Sequence, residues 1–251
     1  MNTILRHVSL GTAILCMAAF SSPALATDGE GWDWMVAPYG WGASIGTDLQ
    51  VRQPPAGGLS TDTEFDDIVD KIDGAFQIHV EGQGDHFGMF TDFTFLGLAD
   101  EHDRPRFHTE SDLDTRLFEL AAVWSPGDVR YQGLDLFAGL RYIDVGLTVQ
   151  FDPENPLFNS SKFDGGETFN DFMIGARYTW AMSDRWGATL RGDGSFGDTE
   201  GTWNASGLVS YKTNHGAWMF GYRYLSVELQ TGDSDSEITM SGPMIGYGFK
   251  F

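Results

Sequence analysis

The chain has one cysteine in 251 residues, 15 lysines and arginines against 36 aspartates and glutamates, and a single long apolar run near its start. Each shortage excludes a class of protein. One thiol makes no intrachain disulfide framework and no thiolate metal cluster. A formal charge of -21 without a basic cluster excludes direct nucleic-acid recognition, which needs lysines and arginines to neutralise phosphates. A mean hydropathy of -0.22 leaves no room for repeated apolar segments of about 20 residues, so a polytopic helical membrane protein is excluded. The aromatics are the opposite of scarce. Nineteen Phe, eight Trp and eight Tyr are too many for a solvated, disordered coil, and a fold must cover them.

The start of the chain predicts export. Arg6 and His7 precede the apolar stretch Leu10 to Phe20, and Ser21, Ser22 and Pro23 lead to Ala24-Leu25-Ala26. A basic start, an apolar segment too short to span a bilayer and small residues at the cleavage positions make a signal peptide over 1–26, with one domain over 27–251. Cys16 lies inside the apolar stretch behind Leu15, which is too large for a lipoprotein cleavage site.

Beyond residue 30 the hydrophobic period is two. Trp186, Ala188, Leu190, Gly192, Gly194 and Phe196 alternate with Gly187, Thr189, Arg191, Asp193, Ser195 and Gly197. Apolar faces of the same kind run through 76–80, 87–95, 118–124, 134–142, 172–180, 203–211, 218–224 and 245–251, and Met35, Ala37, Tyr39, Trp41, Ala43 and Ile45 supply the first. After Tyr224 the phase slips to Leu225, Val227 and Leu229, as at a bulge or at the end of the membrane zone. The predicted fold is an all-β transmembrane antiparallel barrel of about ten strands, with eight or twelve as alternatives. Aromatics at the ends of the apolar faces, and turns expected to be short at 84–86, 125–130, 182–185 and 213–216 but longer at 47–72, 99–112, 152–167 and 231–236, with 197–201 the exception, favour a barrel in lipid over a soluble sandwich.

The last strand sharpens this. Gly246, Phe249 and Phe251 match the terminal barrel-assembly signal of Gram-negative outer-membrane proteins, which the segment resembles; Met244 departs from it, a polar residue being usual there. With APYGW at 37–41, FDDIVDKI at 65–72, GLRY at 139–142, GYRYL at 221–225 and MSGPMIG at 240–246, the chain resembles a proteobacterial outer-membrane protein family. That resemblance implies a barrel in the cell outer membrane, in contact with membrane lipid, lipopolysaccharide and the barrel-assembly machinery, and brings no established activity with it.

With apolar faces to lipid, the opposite faces send Glu81, Asp92, Glu119, Asp135, Arg141, Asp171, Arg177, Arg191, Asp193 and Arg223 into the lumen. Charges in a narrow tube must pair, so a structural ion network is expected. Six acids less four arginines leave two negative charges, which would favour cations in an open, narrow pore. A surface-facing barrel hydrolase, omptin-like or lipid-modifying, is the alternative. It would need a histidine within reach of a carboxylate or serine, and His79 with Glu81 and Asp92, or His102 and His108, are the residues to inspect. No family-specific spacing surrounds them, so no catalytic, cofactor or metal residue is assigned and an enzyme is not expected. Acid-rich loops (Asp62, Glu64, Asp66, Asp67 and Asp70; Asp100, Glu101, Asp103, Glu110 and Asp112; Asp233, Asp235 and Glu237) read as a solvated rim, since none has the spaced ligands of a calcium loop. Phe65, Ile68, Val69 and Ile72 form the one helical pattern, with an added strand from Leu59 as its alternative.

Overall fold

A computed structural model describes residues 31–51, 57–63, 72–104, 107–153, 161–231 and 234–251, and the side chains of 47–71, 73, 100–111, 147, 149, 151–164 and 230–235 are outside that description. The expected signal peptide and most of the 65–72 segment fall outside the described residues. The described chain is twelve strand segments in one sheet: β1 (Asp33–Trp41), β2 (Ser44–Val51), β3 (Gly57–Thr63), β4 (Ile72–Gln83), β5 (Phe87–Arg104), β6 (Phe107–Trp124), β7 (Gly133–Pro153), β8 (Ser161–Ala181), β9 (Trp186–Gly197), β10 (Gly201–Lys212), β11 (Gly216–Thr231) and β12 (Ser234–Lys250).

These segments make ten wall positions. Strand β12 pairs with β1 through Met244 to Lys250 and with β2 through Ser234 to Ser241, so β1 and β2 are one strand interrupted at Gly42 and Ala43. β3 pairs with β2 and β4 with β1, which makes them the two parts of the next position. The remaining neighbours are antiparallel in sequence order, and the β1–β12 pairing closes the sheet. Closure pairs the backbone polar groups strand to strand around the wall, the condition for a sheet to cross lipid, except where the β1–β4 ladder stops at Pro38/Ile78. An even number of positions puts both ends of the wall at one rim, beside the short turns.

Side-chain parity sets inside from outside. Trp34, Phe87, Trp124, Trp180, Trp186, Trp218 and Phe249 stand exposed on the outer wall near the short-turn rim, while Phe76, Phe172, Phe196, Trp203 and Tyr224 form the farther belt. This is the two-girdle pattern of a wall in a bilayer.

Four expectations need correction. The first apolar face points inward: Ala37 is fully buried, Trp41 and Ala43 are buried, and the outer side carries Trp34. Both parities of β1 are apolar, so alternation cannot choose between them. Tyr39 chooses, because inside the barrel its hydroxyl donates to Asp92 Oδ1 at 2.7 Å and in lipid it would have no partner. The phase slip after Tyr224 is no bulge, since β11 and β12 pair without interruption from Gly216/Phe249 to Thr231/Ser234. Leu225 and Val227 keep the inward parity and are buried in an apolar cluster inside the barrel. Most of the expected long loops are strand: β5 and β6 pair to Arg104/Phe107 and β7 and β8 to Phe151/Ser161, because backbone ladders continue whatever side chains they carry. Residues Asp100, Glu101, Asp103, Glu110, Asp112, Asp235 and Glu237 thus lie on strands, as does Asp62 on β3. Ile72, the last residue of the helical pattern, opens β4 and packs on the inner apolar cluster.

Candidate functional site

The lumen is layered. Nearest the short-turn rim lies a cavity of about 200 Å³, lined in part by Met35, Tyr131, Lys212, Met219 and Lys250, with Arg177 and Glu81 above. The charge network follows, and beyond it lies the apolar cluster of Trp41, Ala43, Leu96, Leu117, Ile143, Leu225, Val227 and Met240, with Leu98, Val145, Phe169 and Leu229 packed against it.

All ten lumen charges read from parity are on inward positions, and eight of them are buried. The barrel brings nine into contact across its width. Arg177 on β8 reaches Glu81 on β4 with both terminal nitrogens, at 2.7 Å from Nη1 to Oε2, and its Nε donates to Asp135 at 2.8 Å. Arg191 on β9 donates from Nε to Asp193 at 2.7 Å and from Nη2 to Glu119 at 2.8 Å. Arg141, with no exposed surface, donates to the same two acids and to Thr202. Arg223 on β11 completes the group, with Nη2 3.2 Å from Glu119, Nε 2.9 Å from Asn204 Oδ1 and Nη1 3.8 Å from Asp92. Glu119 on β6 therefore holds three guanidiniums from three strands. The tenth charge, Asp171, is set apart: it accepts from Ser195 Oγ at 2.9 Å, Thr199 Oγ1 at 2.6 Å and Thr199 N–H at 3.1 Å.

His79 lies between two carboxylates, with Nδ1 3.1 Å from Asp92 and Nε2 3.2 Å from Glu81. Each ring nitrogen is thus engaged by a carboxylate, which fixes the orientation of the ring. The ring stacks on Phe90 at 5.6 Å between centroids. Side chains of His102 and His108 lie outside the described residues, although their backbones run in β5 and β6.

Several lumen partners are neutral, and sequence charge alone passes over them. Gln83 and Ser125 donate to Asp135, and Asn204 joins Asp193 to Arg223. Phe90 and Phe137, packed edge to face at 5.3 Å, each lie with ring centroid 5.0 Å from the Arg191 guanidinium carbon, so one cation rests on a pair of aromatic rings while acids hold its nitrogens. Parity marks these residues once the neighbouring charge has been placed inside. Among the described residues no group of three or more histidines, cysteines or acids is arranged to hold a metal ion. At the chain end, Gly246 turns inward against Tyr39, where a Cβ would sit 2.7 Å from that of Tyr39, while Phe249 and Phe251 stand exposed outside.

No protein-family model matches the chain, and no curated protein matches its sequence. Solved structures do match in fold. The outer membrane protease OmpT of Escherichia coli superposes with a TM-score of 0.52 at 11% identity, over 89% of this chain and 98% of that one. Ail, the attachment invasion locus protein of Yersinia pestis, aligns at 10% identity over 88% and 99% of the two chains, with a TM-score of 0.40. A Pseudomonas aeruginosa FadL homologue aligns at 10% identity over 88% and 90%, with a TM-score of 0.33. The OmpT superposition shows an outer-membrane β-barrel fold.

Proposed function

We propose that this chain is exported by its first 26 residues and resides in the outer membrane of a Gram-negative cell as a structural barrel whose lumen is closed to ions. The carrying observation is the lumen itself. Four guanidiniums tie acids of β4, β5, β6, β7 and β9 across the tube, and the apolar cluster lies directly above them. An excess of two carboxylates favours cations only where water can pass. Here an ion would have to break buried pairs and then cross an apolar constriction, which excludes water by dewetting.

In this reading the short turns face the periplasm, the outer wall meets membrane lipid and lipopolysaccharide, and Gly246, Phe249 and Phe251 are what the barrel-assembly machinery engages. A 21-residue strand such as β7 or β8, at about 3.3 Å per residue and a tilt near 45°, rises roughly 50 Å, about twice the apolar band of ~25 Å. The acid-bearing halves of β5 to β8 would then stand outside the membrane as the surface part of the molecule. The hydrolase alternative finds no support at His79, which lies toward the short-turn side with both nitrogens engaged.

Reconstitution of the folded chain in a planar bilayer under a salt gradient tests this. The expected record is insertion without conductance steps; steady, cation-selective steps from the unmodified protein would overturn the closed lumen and restore the pore.

A further inference from the structure

Among the described residues the β1–β4 ladder is incomplete. It runs from Asp33/Gln83 to Pro38/Ile78 and stops, although β1 continues to Trp41 along β12 and β4 extends up to Ile72 along β5. Pro38 has no N–H to extend the ladder, in keeping with prolines marking strand edges. A cavity of about 680 Å³ lies at this interruption, within the size range of small-molecule sites. Its lining joins the two sides of the wall: Gly40, Phe76 and Ile245 belong to the outer face, Trp41, Gln77 and Leu96 to the lumen. Among the described residues, a Cβ at Gly40 would meet nothing nearer than Ile245 Cγ2 at 4.0 Å.

Two side chains in this lining are buried polar groups without partners. Trp41 Nε1 has no acceptor and Gln77 Oε1 no donor, at relative exposures of 7% and 6%. Of the three unpartnered buried side-chain atoms among the described residues, the third being Thr91 Oγ1, these two share one cavity and have opposite hydrogen-bonding sense. An orphaned donor and an orphaned acceptor in an apolar, water-poor place are costly, and a native wall that retains both is shaped for something that satisfies them.

We infer that this break in the wall is a binding site for a membrane-borne amphiphile carrying a hydroxyl group on an apolar body. The hydroxyl oxygen accepts from Trp41 Nε1–H and its proton goes to Gln77 Oε1, one group meeting both needs. The apolar body lies along Gly40, Phe76, Phe220 and Ile245, reached from the lipid. A plain alkyl chain fits the walls and leaves both polar atoms unmet, so the site discriminates by the hydroxyl. Binding here requires no conduction through the lumen.

The test uses the full chain in phosphatidylcholine nanodiscs with two photoreactive probes, a diazirine-bearing long-chain alcohol and the corresponding alkane, the adducts being mapped by peptide mass spectrometry. The alcohol is expected to label the Gly40, Phe76 and Ile245 peptides in preference to the rest of the outer wall, and the alkane to label the wall evenly. Trp41→Phe with Gln77→Leu should cut the alcohol's preference roughly fivefold, the worth of a neutral hydrogen bond or two out of water. Should that pair fold poorly by circular dichroism, Gly40→Leu fills the groove from outside while leaving both polar groups in place, and should abolish the preference too. Equal labelling by the two probes, or an alcohol preference unchanged in the folded variants, overturns the site.

Discussion

Glu119 carries the largest share of the lumen's electrostatics. It is fully buried and accepts from Arg141, Arg191 and Arg223, three cations that would otherwise face one another. Glu119→Gln keeps the shape and removes the charge. Breaking a buried ion network from one side costs about 3–5 kcal/mol, so the urea midpoint of the folded barrel in detergent should fall by that equivalent. Asp171 is the contrast. Its partners are two hydroxyls on Oδ2 and a backbone N–H on Oδ1, with no cation among them; Asp171→Asn keeps one acceptor oxygen, loses the other and strands no charge, so it should cost about 1–3 kcal/mol in the same titration, less than Glu119→Gln. Equal losses at the two positions would mean that the network has no centre. The ten charges could be placed in the lumen from parity; the hub role of Glu119 could not, because it depends on strands up to 104 residues apart.

At the scale of elements, the segment between β6 and β7 joins the short-turn rim to the start of the wall. Tyr131 adopts a positive φ of 58°, unusual for a bulky residue. Its N–H donates to Gln83 Oε1 and its hydroxyl to Asp33 O at 2.6 Å, contacts that fix the left-handed conformation. Arg130 adds ion pairs to Asp33 at 3.3 Å and Asp85 at 2.7 Å. Tyr131→Phe should therefore cost about 1 kcal/mol and raise hydrogen exchange at the first residues of β1, with little change elsewhere. Where β12 meets β1, Gly246 faces the backbone of its neighbour, and a Cβ there would lie 3.0 Å from Pro38 O as well as against Tyr39. Gly246→Ala should slow closure of the barrel, read as a lower yield of heat-modifiable folded protein on gels, and a yield equal to the parent would show that the residue matters for some other reason. The alternating period located most of these strands, whereas the true lengths of β5 to β8 were hidden because their outer halves lose the apolar face while keeping the ladder.

For the whole molecule, closure of the lumen rests on two layers in series. Arg223→Ser opens the charge layer but leaves the apolar one, and should conduct no better than the parent in planar bilayers. Adding Leu117→Ser and Leu225→Ser wets the second layer, and cation-selective steps should then appear, because Asp92 and Glu119 have lost their Arg223 partner beside the path. Steps from Arg223→Ser alone would show that the apolar cluster is no barrier.

The sequence by itself determined the class of fold and which faces point outward over most of the wall, because alternation with period two is a local property that each strand carries without help from its neighbours. Ten positions, the aromatic belts and the inward charges all followed from it. Only the tertiary structure decided the orientation of β1, where both faces are apolar and the Tyr39 hydroxyl needed Asp92 from another strand. It also turned Leu225 and Val227 into a plug, joined Glu119 to three arginines and left Trp41 and Gln77 unmatched at the end of the β1–β4 ladder. These features depend on which strands face one another across a closed tube, and no single segment encodes that.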